Sequence, residues 1–85
     1  MDLDKKRKRL KHRSHHMGMH ENDIIVGSFV DAHIDRLSEE QVDRLEALIE
    51  QNDIDLLNWI IGRAEPPAEF DNDMLKLLQE HRMTI

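Results

Sequence analysis

Cysteine is absent from this sequence, and so are long apolar runs. Without cysteine the chain can form neither disulfide bridges nor thiolate zinc sites, which is typical of proteins in reducing compartments. No apolar run approaches the roughly 20 residues of a membrane span, and the charged segment 2–13 is not followed by the apolar stretch of a signal peptide. These absences predict a soluble protein of the bacterial cytoplasm, without membrane insertion.

Catalytic motifs are missing as well. No Gly-rich phosphate loop follows a strand, and no Gly-x-Ser-x-Gly turn occurs. Paired carboxylates fall near predicted helix starts, where negative charge offsets the helix dipole; they are Glu39–Glu40, Asp53–Asp55 and Asp71–Asp73. A chain of 85 residues forms one small domain with little room for an internal cofactor cavity. We therefore expect a function on the surface and no enzymatic activity of its own.

The formal net charge of −6 is unevenly distributed along the chain. Residues 1–13 hold seven Lys and Arg against two Asp, a net charge of +5, so the remainder carries −11. A basic segment can bind phosphates by counterion release. Here the acidic remainder would repel a duplex, and no aromatic side chain near the segment could stack on bases. The basic N-terminal arm, residues 1–13, is thus predicted to stay solvated, dock on the chain itself or contact a protein, and not to bind nucleic acid.

Apolar spacings of three and four residues predict five short helices. The ranges are Asp4–His15, Met19–Asp35, a helix that follows Ser38 and ends near Gln51, Ile54–Ile61, and Pro67–Arg82. Ser38-Glu39-Glu40-Gln41 has the capping-box pattern, and Gly62 can end the fourth helix in the left-handed conformation. The predicted fold class is all-α, a compact antiparallel bundle in a single domain over residues 1–85.

Four of the six histidines lie between positions 12 and 20. His12 and His16, like His16 and His20, are spaced by four residues, so a continuous helix would let a zinc or nickel ion bridge their imidazoles. Gly18 lies between His16 and His20 and indicates a break in the helix. We therefore predict no metal site in this segment.

Three other ring side chains are predicted to be structural. Trp59 has the apolar neighbours Leu56 and Ile60 at helical spacing, which favours a core position. His33 and His81 fall on apolar stripes, where a hydrogen-bonded structural histidine is expected.

The segment Met17-Gly18-Met19-His20-Glu21 combines a glycine with a carboxylate at a fixed spacing. Gly18 would let another backbone approach closely where a Cβ would intervene. Glu21 can face the same side if the second helix has begun. On residue chemistry alone, the segment is either an interhelix hinge followed by a helix-terminal charge, or a surface patch for a partner.

Three segments of the chain, at matching spacing, resemble the family of succinate dehydrogenase assembly factors. Residues 17–21 are similar to the family's R-G-x-x-E hallmark, with Met17 at the arginine position. Residues 23–29 resemble its D-L-L-L-G-x-F segment, and residues 53–60 resemble D-P-D-L-x-x-W-I, with Ile54 in place of the proline. The resemblance covers roughly residues 7–82.

This resemblance implies a monomeric five-helix chaperone, an FAD assembly factor and not an enzyme. It would bind the flavoprotein subunit of succinate dehydrogenase, or of a related fumarate reductase, and assist covalent flavinylation of that partner by orienting it. FAD would be attached to the partner, and the factor need not bind it tightly. Gly18 would permit close approach, Glu21 would accept hydrogen bonds or pair with a cation, and Arg9 and Arg13 would steer the complex.

Met17 departs from the family pattern. An arginine offers up to five donors in a planar fork, whereas methionine offers a flexible apolar chain and a weakly accepting sulfur. The chain is accordingly a divergent factor with a matching partner, a weakened paralogue or a substituted form. All three interpretations remain open.

A second class of function uses the same kind of surface without flavin chemistry. The chain would then be an antitoxin-like or regulatory protein-binding module. The partner distinguishes the two classes, since the first predicts capture of a flavoprotein and the second capture of a toxin or cytoskeletal protein.

Overall fold

The computed structural model describes residues 2–84. Five α-helices and two 3-10 turns account for its regular structure, and the described residues contain no β-strand. The helices are α1 Leu3–Ser14, α2 His20–His33, α3 Glu39–Ile49, α4 Asp53–Ile61 and α5 Asp73–Arg82, and the 3-10 turns are Ile34–Arg36 and Ala68–Phe70. The predicted all-α fold of five short helices is confirmed.

Helices α3 and α4 have the ends that their sequences predict. The Gln41 backbone N–H donates to Ser38 Oγ at 3.2 Å, and the Ser38 N–H donates to Gln41 Oε1 at 3.0 Å, which completes the capping box. Asn52 Oδ1 accepts hydrogen bonds from the first turn of α4. Gly62 ends α4 at φ +81°, a conformation that glycine adopts with little strain.

Two predicted boundaries were wrong. Helix α5 begins at Asp73 and not at Pro67, because Pro67 is extended and leads into the separate turn Ala68–Phe70. The side chain of Asn72 then caps α5, accepting from the N–H groups of the two residues after Asp73. Helix α2 ends at His33, and the chain continues as the tighter turn Ile34–Arg36 in place of the predicted helix to Asp35.

Every helix contributes fully or nearly fully buried side chains to one apolar core. Examples are Leu10 of α1, Phe29 of α2, Leu45 of α3, Trp59 of α4 and Leu78 of α5. Trp59 is only 8% exposed, which confirms its predicted core position. None of the helices within residues 2–84 is long and apolar enough to cross a membrane.

The basic segment at the N-terminus folds into α1 and packs on the acidic face of α3. Lys6 pairs with Asp43 at 3.0 Å, Arg9 with Glu46 and Arg13 with Glu50, and each pair is separated by 37 positions. Because this separation is constant, α1 and α3 run parallel to each other. This is expected when each helix runs antiparallel to the helix before it in the chain. Part of the basic arm thus docks on the chain itself, while Lys5, Lys8 and Lys11 are exposed. Contact of the arm with another protein stays a prediction.

Candidate partner-binding surface

The segment between α1 and α2 forms an exposed corner of the molecule. Helix α1 ends at Ser14, and α2 begins at His20 after an extended Met19. Gly18 has φ +85°, which side chains with a Cβ rarely adopt. The predicted helix break at Gly18 is confirmed, and the glycine is required there by its backbone conformation.

Two hydrogen bonds and one close approach hold this corner in place. The Met17 N–H donates to Asp23 Oδ1 at 2.8 Å, which ties the linker to the first turn of α2. The fully buried Asn22 donates from Nδ2 to the Asp53 carbonyl oxygen at 2.9 Å, which ties α2 to α4. A Cβ on Gly18 would lie 3.4 Å from Asp53 Oδ2, so the corner also lies against the start of α4.

Glu21 lies in the first turn of α2 and is exposed. Its carboxylate makes no hydrogen bond or ion pair with any residue in the described range 2–84. The negative charge is favourable beside the N-terminal end of the helix dipole. The carboxylate can therefore accept hydrogen bonds from an external donor, and the hinge and patch interpretations of this segment are compatible.

Met17 is half-buried and packs against the apolar core. It also lines an open cavity of about 300 Å³ between the end of α1 and the end of α3. The other lining residues are His12, Arg13, His16 and Ile49. The side chain at the family's arginine position thus rests partly against the protein itself.

Arg9 and Arg13 both engage α3. Arg9 makes a two-pronged contact with Glu46, with Nε 2.9 Å from Oε2 and Nη2 2.6 Å from Oε1, and this hydrogen bonding raises the pKa of Arg9. Arg13 Nη1 lies 3.1 Å from Glu50 Oε1. Only Arg13 shares a cavity with Met17, so the structure brings Arg13 next to the corner and Arg9 onto the α1–α3 contact. Their predicted steering of a partner stays a prediction.

Two exposed isoleucines extend the corner. Ile24 follows Glu21 by three residues on α2 and is 44% exposed, and Ile54 follows Asp53 in the first turn of α4 and is 59% exposed. Neither was among the predicted site residues. Ile24 could have been noticed because it falls off the apolar stripe, and Ile54 because it stands where the family pattern has proline. We call Met17, Gly18, Glu21, Ile24 and Ile54 the corner surface; Met17 and Ile24 line different cavities at this corner.

The two C-terminal histidines lie away from the corner, between α2 and α5. His81 Nε2 is 2.9 Å from Ser28 Oγ, which confirms the prediction of a hydrogen-bonded histidine. His33 makes ring contacts with Phe29 at 4.9 Å and with His81 at 6.0 Å, and no hydrogen bond within the part of the chain described, so the prediction of a hydrogen bond is wrong for His33. Burial and the neighbouring His33 lower the pKa of His81.

Comparison with known proteins relates this geometry to a family. Residues 8–82 match the protein family described as the flavinator of succinate dehydrogenase. The chain belongs to this family. The resemblance of the three segments is thereby confirmed, and the matched range includes all five corner-surface positions, three of them in α2 and α4 and two, Met17 and Gly18, in the linker.

Relatives in this flavinator family carry consistent names. The chain is 42% identical over 80 residues to "Succinate dehydrogenase assembly factor 2, mitochondrial" of Dictyostelium discoideum, which covers 94% of the chain and 57% of that protein. It is 37% identical to "FAD assembly factor SdhE" of Acetobacter pasteurianus over 93% of the chain and 72% of that protein. It is 33% identical to "Succinate dehydrogenase assembly factor 2-B, mitochondrial" of Drosophila melanogaster, over 93% of the chain and 52% of that protein. The chain thus spans little more than half the length of the mitochondrial relatives.

Proposed function

We propose that this chain binds the flavoprotein subunit of succinate dehydrogenase and promotes the covalent attachment of FAD to it. Membership of the flavinator family and the names of the relatives support this proposal. The observation that carries it is the exposure of Gly18 and Glu21 on one anchored corner, with the Glu21 carboxylate left unengaged within residues 2–84.

The corner surface acts by orientation and not by catalysis. Gly18 is exposed and carries no side chain, so a partner backbone can approach the linker closely. Glu21 accepts hydrogen bonds from the partner or pairs with one of its cations. Because Asn22 and Asp23 already fix the corner, little conformational freedom is lost on docking. Holding the flavoprotein in a reactive geometry can supply several kcal/mol of a barrier.

Covalent chemistry in this proposal belongs to the partner. FAD, when bound to the flavoprotein, supplies the reactive ring, and the histidine that attacks it is also the partner's. The present chain is not an enzyme and binds no FAD tightly on its own. It acts as a monomeric chaperone in the bacterial cytoplasm, and a fumarate reductase flavoprotein is a second partner of the same kind.

The test is complementation in a bacterial strain that lacks its own assembly factor. Gly18→Arg should obstruct close approach and Glu21→Ala should remove the acceptor, so both should lower covalent flavin on the partner while helicity is retained. Gly62→Arg is the matched control for Gly18→Arg, because Gly62 is also exposed at positive φ; a Cβ there meets open space, whereas one on Gly18 lies 3.4 Å from Asp53 Oδ2. Glu69→Ala, an exposed carboxylate in the turn before α5, is the control for Glu21→Ala.

The readout is in-gel flavin fluorescence of the denatured flavoprotein, with circular dichroism of each purified variant. The proposal requires a loss for the two corner variants and none for their controls. Equal fluorescence with the wild type, Gly18→Arg, Glu21→Ala and an empty vector would reject it for that partner. Pull-down from the native host would then decide whether a toxin or cytoskeletal protein is bound, as the antitoxin-like alternative requires.

A further inference from the structure

Two histidines and a methionine line one open cavity at the C-terminal end of α1. His12 lies in the last turn of the helix and His16 in the linker, and their ring centroids are 4.5 Å apart with the planes tilted by 33°. Both side chains are exposed. Met17 lines the same open cavity of about 300 Å³. The helix break at Gly18 separates His20 from this group but leaves His12 and His16 together.

Contrary to the prediction of no metal site in this segment, we propose that His12, His16 and Met17 form a binding site for the soft cation Cu(I). Thioether and imidazole ligands together favour Cu(I), which accepts two or three ligands of this type. Zinc sites usually take four ligands. No group of three or more His, Cys, Asp or Glu side chains among residues 2–84 could hold a metal ion. The proposed donor set is two imidazoles and one thioether, which suits a soft metal ion with few ligands.

The positive charge beside the three ligands is neutralised by carboxylates. Arg13 lines the cavity, but its guanidinium Nη1 lies 3.1 Å from Glu50 Oε1 and 3.9 Å from Glu46 Oε1, so its charge is balanced by two carboxylates. The Met17 backbone is held by Asp23, which limits where the thioether can move. Metal binding requires neutral imidazoles, and rotation of the two exposed side chains can turn a ring nitrogen of each toward one ion.

His15 and His20, the other two histidines in this part of the chain, do not line the cavity of the proposed site. His15 points to the other side of the corner, where its Nε2 is 3.0 Å from Asp31 Oδ1. His20 starts α2 and lines a different cavity together with Ile24. The metal site does not depend on the proposed function, although Met17 belongs to the corner surface as well. His20 and the exposed Met83 at the end of α5 supply controls of matching chemistry.

The experiment is an anaerobic titration of the full chain, without an affinity tag, with Cu(I) in competition with bicinchoninate. The wild type should bind one equivalent. His12→Ala and His16→Ala should each weaken binding by about tenfold or more, as loss of a ligand or its support does at metal sites. Met17→Leu should weaken it and remove the sulfur scatterer from the copper X-ray absorption spectrum. His20→Ala and Met83→Leu should leave affinity and spectrum unchanged.

Two results would contradict the proposed Cu(I) site. Equal affinity for the wild type and the His12→Ala/His16→Ala double variant would mean adventitious binding only. A sulfur scatterer that persists in Met17→Leu and disappears in Met83→Leu would assign the thioether to another methionine. Circular dichroism of each variant separates loss of a ligand from loss of the fold, and neither outcome bears on flavinylation of a partner.

Discussion

The side-chain amide of Asn22 donates to the backbone carbonyl of Asp53 at 2.9 Å, and so joins the first turn of α2 to the first turn of α4. Asn22 is fully buried, and its Oδ1 finds no hydrogen-bond partner within the described residues. A buried amide with one unpaired polar atom costs stability. Here it sets the position of Gly18 and Glu21 on one side and Ile54 on the other.

Replacement of Asn22 should therefore affect both stability and the corner surface. Asn22→Ala removes the bond and leaves a small cavity, and we expect the free energy of unfolding to fall by about 1–3 kcal/mol. Covalent flavin on the partner should fall as well, because the corner is less well fixed. Urea unfolding and in-gel flavin fluorescence measure the two effects. An unchanged urea midpoint would contradict the structural role, and full flavinylation would contradict the positioning role.

Met17→Arg tests whether the missing arginine limits this chain. The guanidinium restores a planar fork of donors at the corner, so flavinylation should increase with a flavoprotein from a host whose own factor carries the arginine. With the chain's own partner the change should be neutral or harmful if that partner has adapted to methionine. Met17→Lys is the control, since it restores the charge without the fork. Equal gains from Lys and Arg would show that charge alone is missing.

Trp59→Ala should destabilise the fold strongly. The ring is 8% exposed and stacks on Phe70 with centroids 5.6 Å apart, so truncation leaves a large cavity. We expect a loss of about 3–5 kcal/mol, seen as a sharp fall in the denaturant midpoint. Trp59→Phe should cost less because it keeps a ring in place. A nearly unchanged midpoint with loss of partner binding would instead assign Trp59 to the interface.

His81 should make the stability depend on pH. Burial and the nearby His33 lower its pKa from the usual 6.5, so the unfolded chain takes up a proton more readily than the folded one. The free energy of unfolding should then decrease as the pH falls below about 6.5, until the lowered pKa of the folded state is passed.

The measurement for His81 is urea unfolding at several values between about pH 5 and 8, where histidines titrate. His81→Gln should show a weaker decrease toward low pH than the wild type. His33→Gln should also weaken it, because one cause of the lowered pKa is removed. Parallel curves for the wild type and both variants would contradict the assignment.

Local chemistry explains which parts of the fold could be predicted. The capping box of Ser38 and the stop at Gly62 depend on a few adjacent residues, and both predictions are confirmed. The start of α5 could not be placed because Pro67 and Asn72 are both acceptable helix starts, and only the separate turn Ala68–Phe70 decides between them. The helix break at Gly18 was predictable, but its left-handed conformation was one of several that glycine allows.

Long-range contacts explain what sequence reasoning missed at the site. Arg9 and Arg13 look like free cations in the sequence, because nothing local indicates that Glu46 and Glu50 will face them. Gly27 lies in residues 23–29, which resemble a family segment. A contact with another helix, and not the local sequence, explains why a glycine is needed there. A Cβ there would lie 2.9 Å from the His15 ring, where the end of α1 crosses α2. Such crossings follow from the packing of helices and not from spacing along one of them.

The ladder of ion pairs between α1 and α3 does not by itself define where α1 lies. If α1 slid by one turn, Arg9 would face Asp43 and Arg13 would face Glu46, so the charges would still be matched. Steric fit removes this ambiguity: Leu10 fills the core, and the fully buried Ser14 lies where α1 meets Gly27. The ion pairs thus determine which face of α1 packs on α3, and the fit of Leu10, Ser14 and Gly27 determines the position of α1 along its axis.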